Sequence, residues 1–557
     1  MPTTINELFD GSVARFADLP AVGMALETPW SYREFSTKVH RLTRVLHREG
    51  VDRGSHVALL GENSPQWVLA YLATVRLGAV VVPILPDVPA ADVRHILGET
   101  MPTIVFVTER QLEKLYDAPR KPALVVTLDD HGDGRDILPC LPFSDFLARV
   151  PAAELHDSVP ETPPVAPEDL ASILYTSGTS GFSKAVLLTH RNLTSNALSA
   201  SHVFNIPPET AFLSVLPISH AYEFTVGFLL PLYCGARIAY VGKAPTPAVL
   251  QKVCREERPS IMLVVPLIME KIYKKRVLPA LEKSPLLEFI CRFSWSRRLV
   301  YRRIGKKLLE FFGGNLVLTG IGGAALNPEV ELFLREANFP FLVGYGLSEA
   351  SPLLAGGPEN DPTIAPGSTG KPVFGVEIRI DSPDPATGVG EIQARGPNIM
   401  QGYVNDPEST AKALTEDHWL RTGDLGCLDA HGNLHIKGRS KNVIVLANGE
   451  NVYPEAIEHK LNASPYVAES LVMEQDNSLV AWIYPDYDLL DQETQGQDRR
   501  QRHEYLAERI AALRTEVNTH LPASSRISRI LERREPFTKT ATHKIKRYLY
   551  QAGELDA

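Results

Sequence analysis

The chain has 557 residues, more than one ordinary domain accommodates, so two or more packed units are expected. Hydrophobic residues make up 44% and charged residues 22%, the mix of a soluble globular protein with a large core. A formal charge of −9 is the opposite of the basic excess that marks nucleic-acid binders, and no nucleic-acid partner is expected. Cys140, Cys234, Cys254, Cys291 and Cys427 are scattered without metal-ligand spacing, which suits reduced thiols and a cytoplasmic location. The opening MPTTINELFD has neither the basic flank nor the apolar run of a signal peptide.

From the N-terminus, WVLAYLATVRLGAVVVPIL is the most apolar stretch, but Arg76 and Gly78 interrupt it. It reads as a buried helix running into a strand. Between residues 30 and 350, apolar β-rich runs (VALL, VVVPI, TIVFVT, SILYT, IMLVVP, NLVLTG, FPFLVG) alternate with helical patterns. Such runs predict strands buried on both faces of mostly parallel sheets. The Pro-rich VPETPPVAP at 159–167 reads as a surface connector. Near residue 372 the pattern turns to alternation (VEIRI, EIQARG), as in a small antiparallel sheet or barrel. A compact α+β unit follows: a hairpin over HIKGRSKNVIVL, a helix from Pro454, the strand LVAWIYP and a helix over 504–519. The expected fold is α/β. A large N-terminal domain spans residues 1–437, and a smaller mobile C-terminal domain spans 438–557.

The segment from Tyr175 to Lys184, YTSGTSGFSK, follows SILYT and precedes AVLLTH. A loop dense in Gly, Ser and Thr lets backbone N–H groups and hydroxyls converge on an anion, and Lys184 adds a positive charge. Its spacing is not that of the nucleotide-hydrolase P-loop. The loop resembles the signature of the adenylate-forming superfamily, which includes acyl-CoA synthetases, peptide-synthetase adenylation domains and luciferases. Further segments match in the same order: GGAAL from Gly322, GYGLSE from Gly344, Thr422-Gly-Asp424, Gly438-Arg439 continuing to NGENVYP, and KTATHK ending at Lys544.

The resemblance implies that Thr176, Ser177, Gly178, Thr179, Ser180, Gly181 and Lys184 hold the phosphates of ATP that leave as pyrophosphate. It implies Glu349 and Thr176 as ligands of Mg²⁺ and Ser348 as a phosphate contact. Tyr345 and Gly346, with Gly323 and Ala324 on the other side, would surround adenine. Asp424 would take both ribose hydroxyls, with Arg439 nearby. Lys544 would offset the repulsion between carboxylate and α-phosphate in the first step, and Lys441 would be the hinge. Two departures from the pattern stand beside Lys544: His543 where glycine is usual, and Thr538 where proline is frequent.

LPISHAYE, with His220 near the reacting carboxyl, and VPLIMEKIY resemble the long-chain fatty acyl-CoA synthetases. That implies a carboxylic acid substrate, a medium- or long-chain fatty acid, with coenzyme A as acceptor. Transfer to an acyl carrier protein and a non-catalytic adenylate-binding homologue are the alternatives. No carrier-protein serine motif follows Lys544, so a stand-alone ligase is expected. Residues 271–312 combine twelve basic residues from Lys271 to Lys307 with apolar residues at helical spacing, which suggests a peripheral membrane contact.

Overall fold

A computed structural model describes residues 1–116, 122–130, 138–150, 164–176, 184–242, 245–282, 285–358, 360–446, 451–475, 478–522, 525–540 and 544–550. Two eight-stranded sheets form the body of the large domain. The first runs, in spatial order, Gly402–Tyr403, Lys184–Thr189, Leu170–Thr176, Val80–Ile84, His56–Leu60, Ile104–Val107, Leu124–Thr127 and Leu141–Pro142. The second runs Leu353–Gly356, Phe341–Gly346, Leu318–Ile321, Ile261–Val264, Ala211–Ser214, Arg237–Tyr240, Pro20–Met24 and Trp30–Ser31. The strands foreseen in the sequence fall in these two sheets. Pairing is parallel through the middle of each, and antiparallel where Leu170–Thr176 turns back into Lys184–Thr189 and where Phe341–Gly346 meets Leu353–Gly356.

The apolar stretch after Ser64 becomes helix Pro65–Arg76, capped by the Ser64 hydroxyl, and then strand Val80–Ile84. Trp67 and Tyr71 are fully buried on that helix, and Phe224 packs with ring centroids 4.3 Å from Tyr71. Side chains of this size contribute about 1.5–3 kcal/mol each when buried. The contact ties the segment after His220 to the core of the domain. Among the described residues no helix is long and apolar enough to cross a membrane.

An antiparallel four-stranded sheet, Glu377–Asp381, Gly390–Arg395, Leu420–Leu428 and Leu434–Arg439, follows the two large sheets. Here the structure departs from the expected hairpin over HIKGRSKNVIVL. His435–Arg439 pairs back onto Leu420–Leu428, with Asp424 opposite Arg439, while Ile444–Val445 pairs with Asn451–Val452. The 3₁₀ turn Ser440–Asn442 separates the two halves. The C-terminal unit is a three-stranded sheet (Val467–Gln475, Ser478–Pro485, Ile527–Glu532) with helices Pro454–Ala463 and Arg499–Thr519. It meets the large domain through polar contacts. Lys274 Nζ donates to the carbonyls of Ser464 and Val467 at 3.1 and 3.0 Å, and Asn327 Nδ2 donates to that of His459 at 3.1 Å.

One buried acid lies in the turn Ala221–Phe224, just after His220. Glu223 is 1% exposed, and its Oε2 has no hydrogen-bond partner. Burial pushes its pKa up to about 8, a hydrogen bond with Ser214 opposing, so it is a neutral acid in the folded protein at pH 7. An unfolded chain releases that proton near the ordinary value, about 4.3. Between the two pH values the folded state binds more protons, so this group's contribution to stability falls as pH rises. Glu223→Gln is uncharged in both states. We expect its melting temperature relative to wild type to climb between pH 5 and 8, with a gain on the order of a few kcal/mol at the upper end. A difference that stays flat across that range would contradict the neutral buried acid.

Candidate active site

In open α/β sheets, ligands gather beyond the carboxyl ends of the strands. Several of the residues singled out in the sequence lie there. Thr176 ends Leu170–Thr176, Gly322 follows Leu318–Ile321, Tyr345 and Gly346 end Phe341–Gly346, and His220 follows Ala211–Ser214. Thr176 pairs with Lys184 across the hairpin, and its hydroxyl donates to the Lys184 carbonyl at 3.3 Å. Ser177, Gly178, Thr179, Ser180 and Gly181 lie outside the described residues, as does His543.

Buried Asn63 pins the segment carrying His220. Its amide donates to Ser214 Oγ (2.9 Å) and the Leu216 carbonyl (2.6 Å), and its carbonyl accepts from the Ile218 N–H (2.8 Å). His220 then caps the turn Ala221–Phe224, its Nδ1 accepting the Tyr222 N–H at 3.3 Å. A neutral ring with Nδ1 accepting carries its proton on Nε2. Burial, then the positive charge of Lys544, hold the His220 pKa down to about 4, so the ring is neutral at pH 7.

Tyr345 donates its hydroxyl to Asp424 Oδ2 at 2.7 Å, and Arg439 Nε lies 2.7 Å from Asp424 Oδ1. Burial and the Asp424 charge push the Tyr345 pKa well above the usual phenol range, which keeps it a donor. Each Asp424 oxygen has two acceptor sites, so this anchoring leaves capacity for two hydroxyls more. Gly323 adopts a left-handed φ of +87°, while it and Ala324 present accessible backbone rather than a bulky side chain.

Gly346 answers to a close approach: a Cβ there would lie 2.0 Å from the Pro352 carbonyl oxygen. That carbonyl accepts the Leu347 N–H at 3.1 Å and sets up the 3₁₀ turn Ser348–Ala350, which presents Ser348 and Glu349. Gly346→Ala is therefore expected to cost about 1–3 kcal/mol of stability and to remove most ATP binding. Thermal melting and nucleotide titration would check it. A variant that melts and binds like wild type would contradict this contact.

Glu349 Oε1 accepts from the Tyr403 hydroxyl at 3.0 Å, and Lys184 Nζ stands 4.6 Å from the centre of the Tyr403 ring. Tyr403 therefore joins the strand that begins at Lys184 to Glu349. Sequence reasoning missed it, because a Gly-Tyr pair in a short strand carries no signal of its own. Among the described residues no three His, Cys, Asp or Glu side chains gather as a metal cage. One carboxylate with a hydroxyl oxygen still fits Mg²⁺, which keeps waters and is commonly held by one or two carboxylates plus substrate phosphates.

Lys544 reaches this cluster from the C-terminal unit. It sits on a hairpin in which Thr540 N–H donates to the Lys544 carbonyl (2.8 Å) and Lys546 N–H to that of Thr538 (2.9 Å). The neighbouring basic residues are engaged within the unit: Lys539 pairs with Glu469 at 2.6 Å, and Arg547 pairs with Glu458. Lys544 is exposed in accessible area, while desolvation, then the charge of Arg439, lowers its pKa and Asp424 and Glu349 oppose the shift. Lys441 lies apart, exposed on the turn Ser440–Asn442.

The family described as AMP-binding enzyme matches residues 9–404, and its C-terminal domain matches 441–552. The chain belongs to the AMP-binding enzymes. A Drosophila melanogaster protein named long-chain-fatty-acid–CoA ligase heimdall is 28% identical over 522 residues, covering 85% of this chain and 74% of its own. A Rhodococcus jostii relative, named a methyl-dioxo-octahydroindenyl-propanoyl:CoA ligase, is 28% identical over 486 residues, covering 85% of this chain and 86% of its own. ATP-bound MatB from Rhodopseudomonas palustris shares the fold with a TM-score of 0.76 at 23% identity, over 98% of both chains. The anthranilate CoA ligase AuaEII, solved with anthranoyl-AMP, does so with a TM-score of 0.77 at 20% identity, over 99% of this chain and 97% of that one. As an AMP-binding enzyme the protein has the architecture of the AMP-forming acid–thiol ligases.

Proposed function

We propose that the protein joins a medium- or long-chain fatty acid to coenzyme A in two steps on one site. The observation that supports this reading is the buried Asp424, held by the Tyr345 hydroxyl at 2.7 Å and by Arg439 at 2.7 Å, with Lys544 within electrostatic range of both Asp424 and His220. In the first step a carboxylate oxygen of the acid attacks the α-phosphorus of ATP. The bond from that phosphorus to the bridging oxygen breaks, and pyrophosphate leaves. Lys544 offsets the repulsion between the two anions as they approach. Asp424 and Arg439 hold the ribose, and Tyr345 with Gly323, Ala324 and Gly346 borders adenine. The loop from Thr176 to Gly181, with Lys184 and Ser348, takes the leaving phosphates. Glu349 and Thr176 would hold Mg²⁺, which would supply charge neutralisation on those phosphates. The Nε2–H of His220 is available to orient the carboxyl group.

In the second step the thiol sulfur attacks the acyl carbonyl, its proton is lost, and AMP leaves from the tetrahedral intermediate. Residues 438–557 form the unit that moves between the steps, with Lys441 as hinge. The fatty-acid reading draws on LPISHAYE around His220 and on the relatives named for such acids, among them a fatty acyl-CoA synthetase of Dictyostelium discoideum. AMP release with Mg-ATP and CoA across straight-chain and aromatic acids, with mass spectrometry of the thioester, tests it. Acyl-CoA formed best from straight-chain acids is the expected result. Product only with a phosphopantetheinyl carrier protein would make that protein the acceptor. No AMP from any acid would overturn the reading in favour of a non-catalytic adenylate binder.

A further inference from the structure

Helix Ser294–Phe311 buries one face and leaves the other to solvent. Ser296, Tyr301, Gly305, Leu308 and Phe311 point into the domain, and Arg297 is held by two 2.7 Å bonds to Glu336. On the outer face stand Trp295 and Leu299, 70% and 60% exposed, together with Arg302 and Lys306. Just before it, Phe289 and Phe293 meet edge to face at 5.8 Å, and both are more than half exposed. Large apolar side chains left in water in this concentration mark a contact surface rather than scattered exposure. Its charge indicates the partner. From residue 289 to 309 the sequence has seven Arg and Lys and no Asp or Glu, in a chain whose formal net charge is −9.

We propose that this corner docks on an anionic lipid bilayer, with Phe289, Phe293, Trp295 and Leu299 entering the interface and the flanking cations facing lipid phosphates. Aromatic rings suit the headgroup boundary, where one side of the contact is apolar and the other wet. Basic residues add attraction that acts only within a Debye length of a negative surface. A protein partner would need an apolar pocket ringed by acids, a more demanding complement than a bilayer offers.

The test uses the full-length protein sedimented with vesicles of phosphatidylcholine alone or mixed with phosphatidylglycerol. Binding to the mixed vesicles, weaker on neutral ones and falling with salt, is expected. Trp295→Ser with Leu299→Ser, and separately Arg302→Gln with Lys306→Gln, should each lower the partition coefficient about tenfold or more. Both variants should keep their melting temperature and their AMP release with a water-soluble acid, since these side chains face solvent. Equal binding to neutral and anionic vesicles, or binding to neither, overturns the proposal. So does self-association that the Trp295 and Leu299 changes abolish in the absence of vesicle binding, because a second copy would then cover the patch. The vesicle-binding outcomes do not depend on which acid the enzyme activates.

Discussion

Lys544→Ala is expected to lower acid-dependent pyrophosphate–ATP exchange by about 10²–10³-fold, the usual effect of removing one preorganised group that stabilises transition-state charge. Stability should change by no more than about 0.5 kcal/mol, because the hairpin is held by backbone bonds and by Lys539 and Arg547 rather than by this side chain. The pH profile supplies a second reading. A lysine whose pKa is lowered loses its proton, and with it the rate, at a lower pH than an ordinary lysine. Adenylation should therefore fall on the alkaline side at a pH below the common lysine range. An arginine stays charged throughout, so Lys544→Arg should move that limb upward even where its larger head slows the rate. An alanine variant with more than a tenth of wild-type exchange, or an arginine variant with an unmoved limb, would remove Lys544 from the chemistry.

The sequence carried the strands well because their apolar runs reflect burial on both faces, as Val57, Val81, Ile104 and Ile173 show. It also singled out Thr176, Tyr345, Glu349, Asp424 and Lys544, all in motifs that the resemblance to adenylate-forming enzymes could name. It carried less where pairing partners are distant. HIKGRSKNVIVL reads locally as a hairpin, yet Arg439 pairs with Asp424, fifteen positions upstream, and the ion pair between their side chains reinforces that register. Asn63 and Tyr403 belong to the same class. Each is an ordinary loop or edge residue in sequence, and each gains its role from a partner more than 50 positions away. Basic residues near the C-terminus looked alike in sequence. Only their partners separate Lys539 and Arg547, which hold the unit together, from Lys544, whose charge is felt at His220 of the large domain.

Glu349→Gln is the second change with a large expected effect, and Tyr403 shows why the acid is poised. Glu349 is fixed at two points: its backbone carbonyl accepts the Met400 N–H at 2.9 Å, and its side-chain Oε1 accepts the Tyr403 hydroxyl at 3.0 Å. The Glu349 charge, after burial, pushes the Tyr403 pKa up, so the phenol stays protonated and donates. Removing a partner that orients a metal ligand typically lowers metal affinity or activity about 10–100-fold. Tyr403→Phe should therefore raise the Mg²⁺ concentration for half-maximal adenylation by about that factor while keeping the ring beneath Lys184. Glu349→Gln removes the ligand charge itself and should cost more, with rate lost even at saturating Mg²⁺. An amide keeps the shape of the carboxylate, so both variants should melt close to wild type. If Mg²⁺ dependence is the same in all three proteins, Glu349 serves the turn Ser348–Ala350 and not the metal.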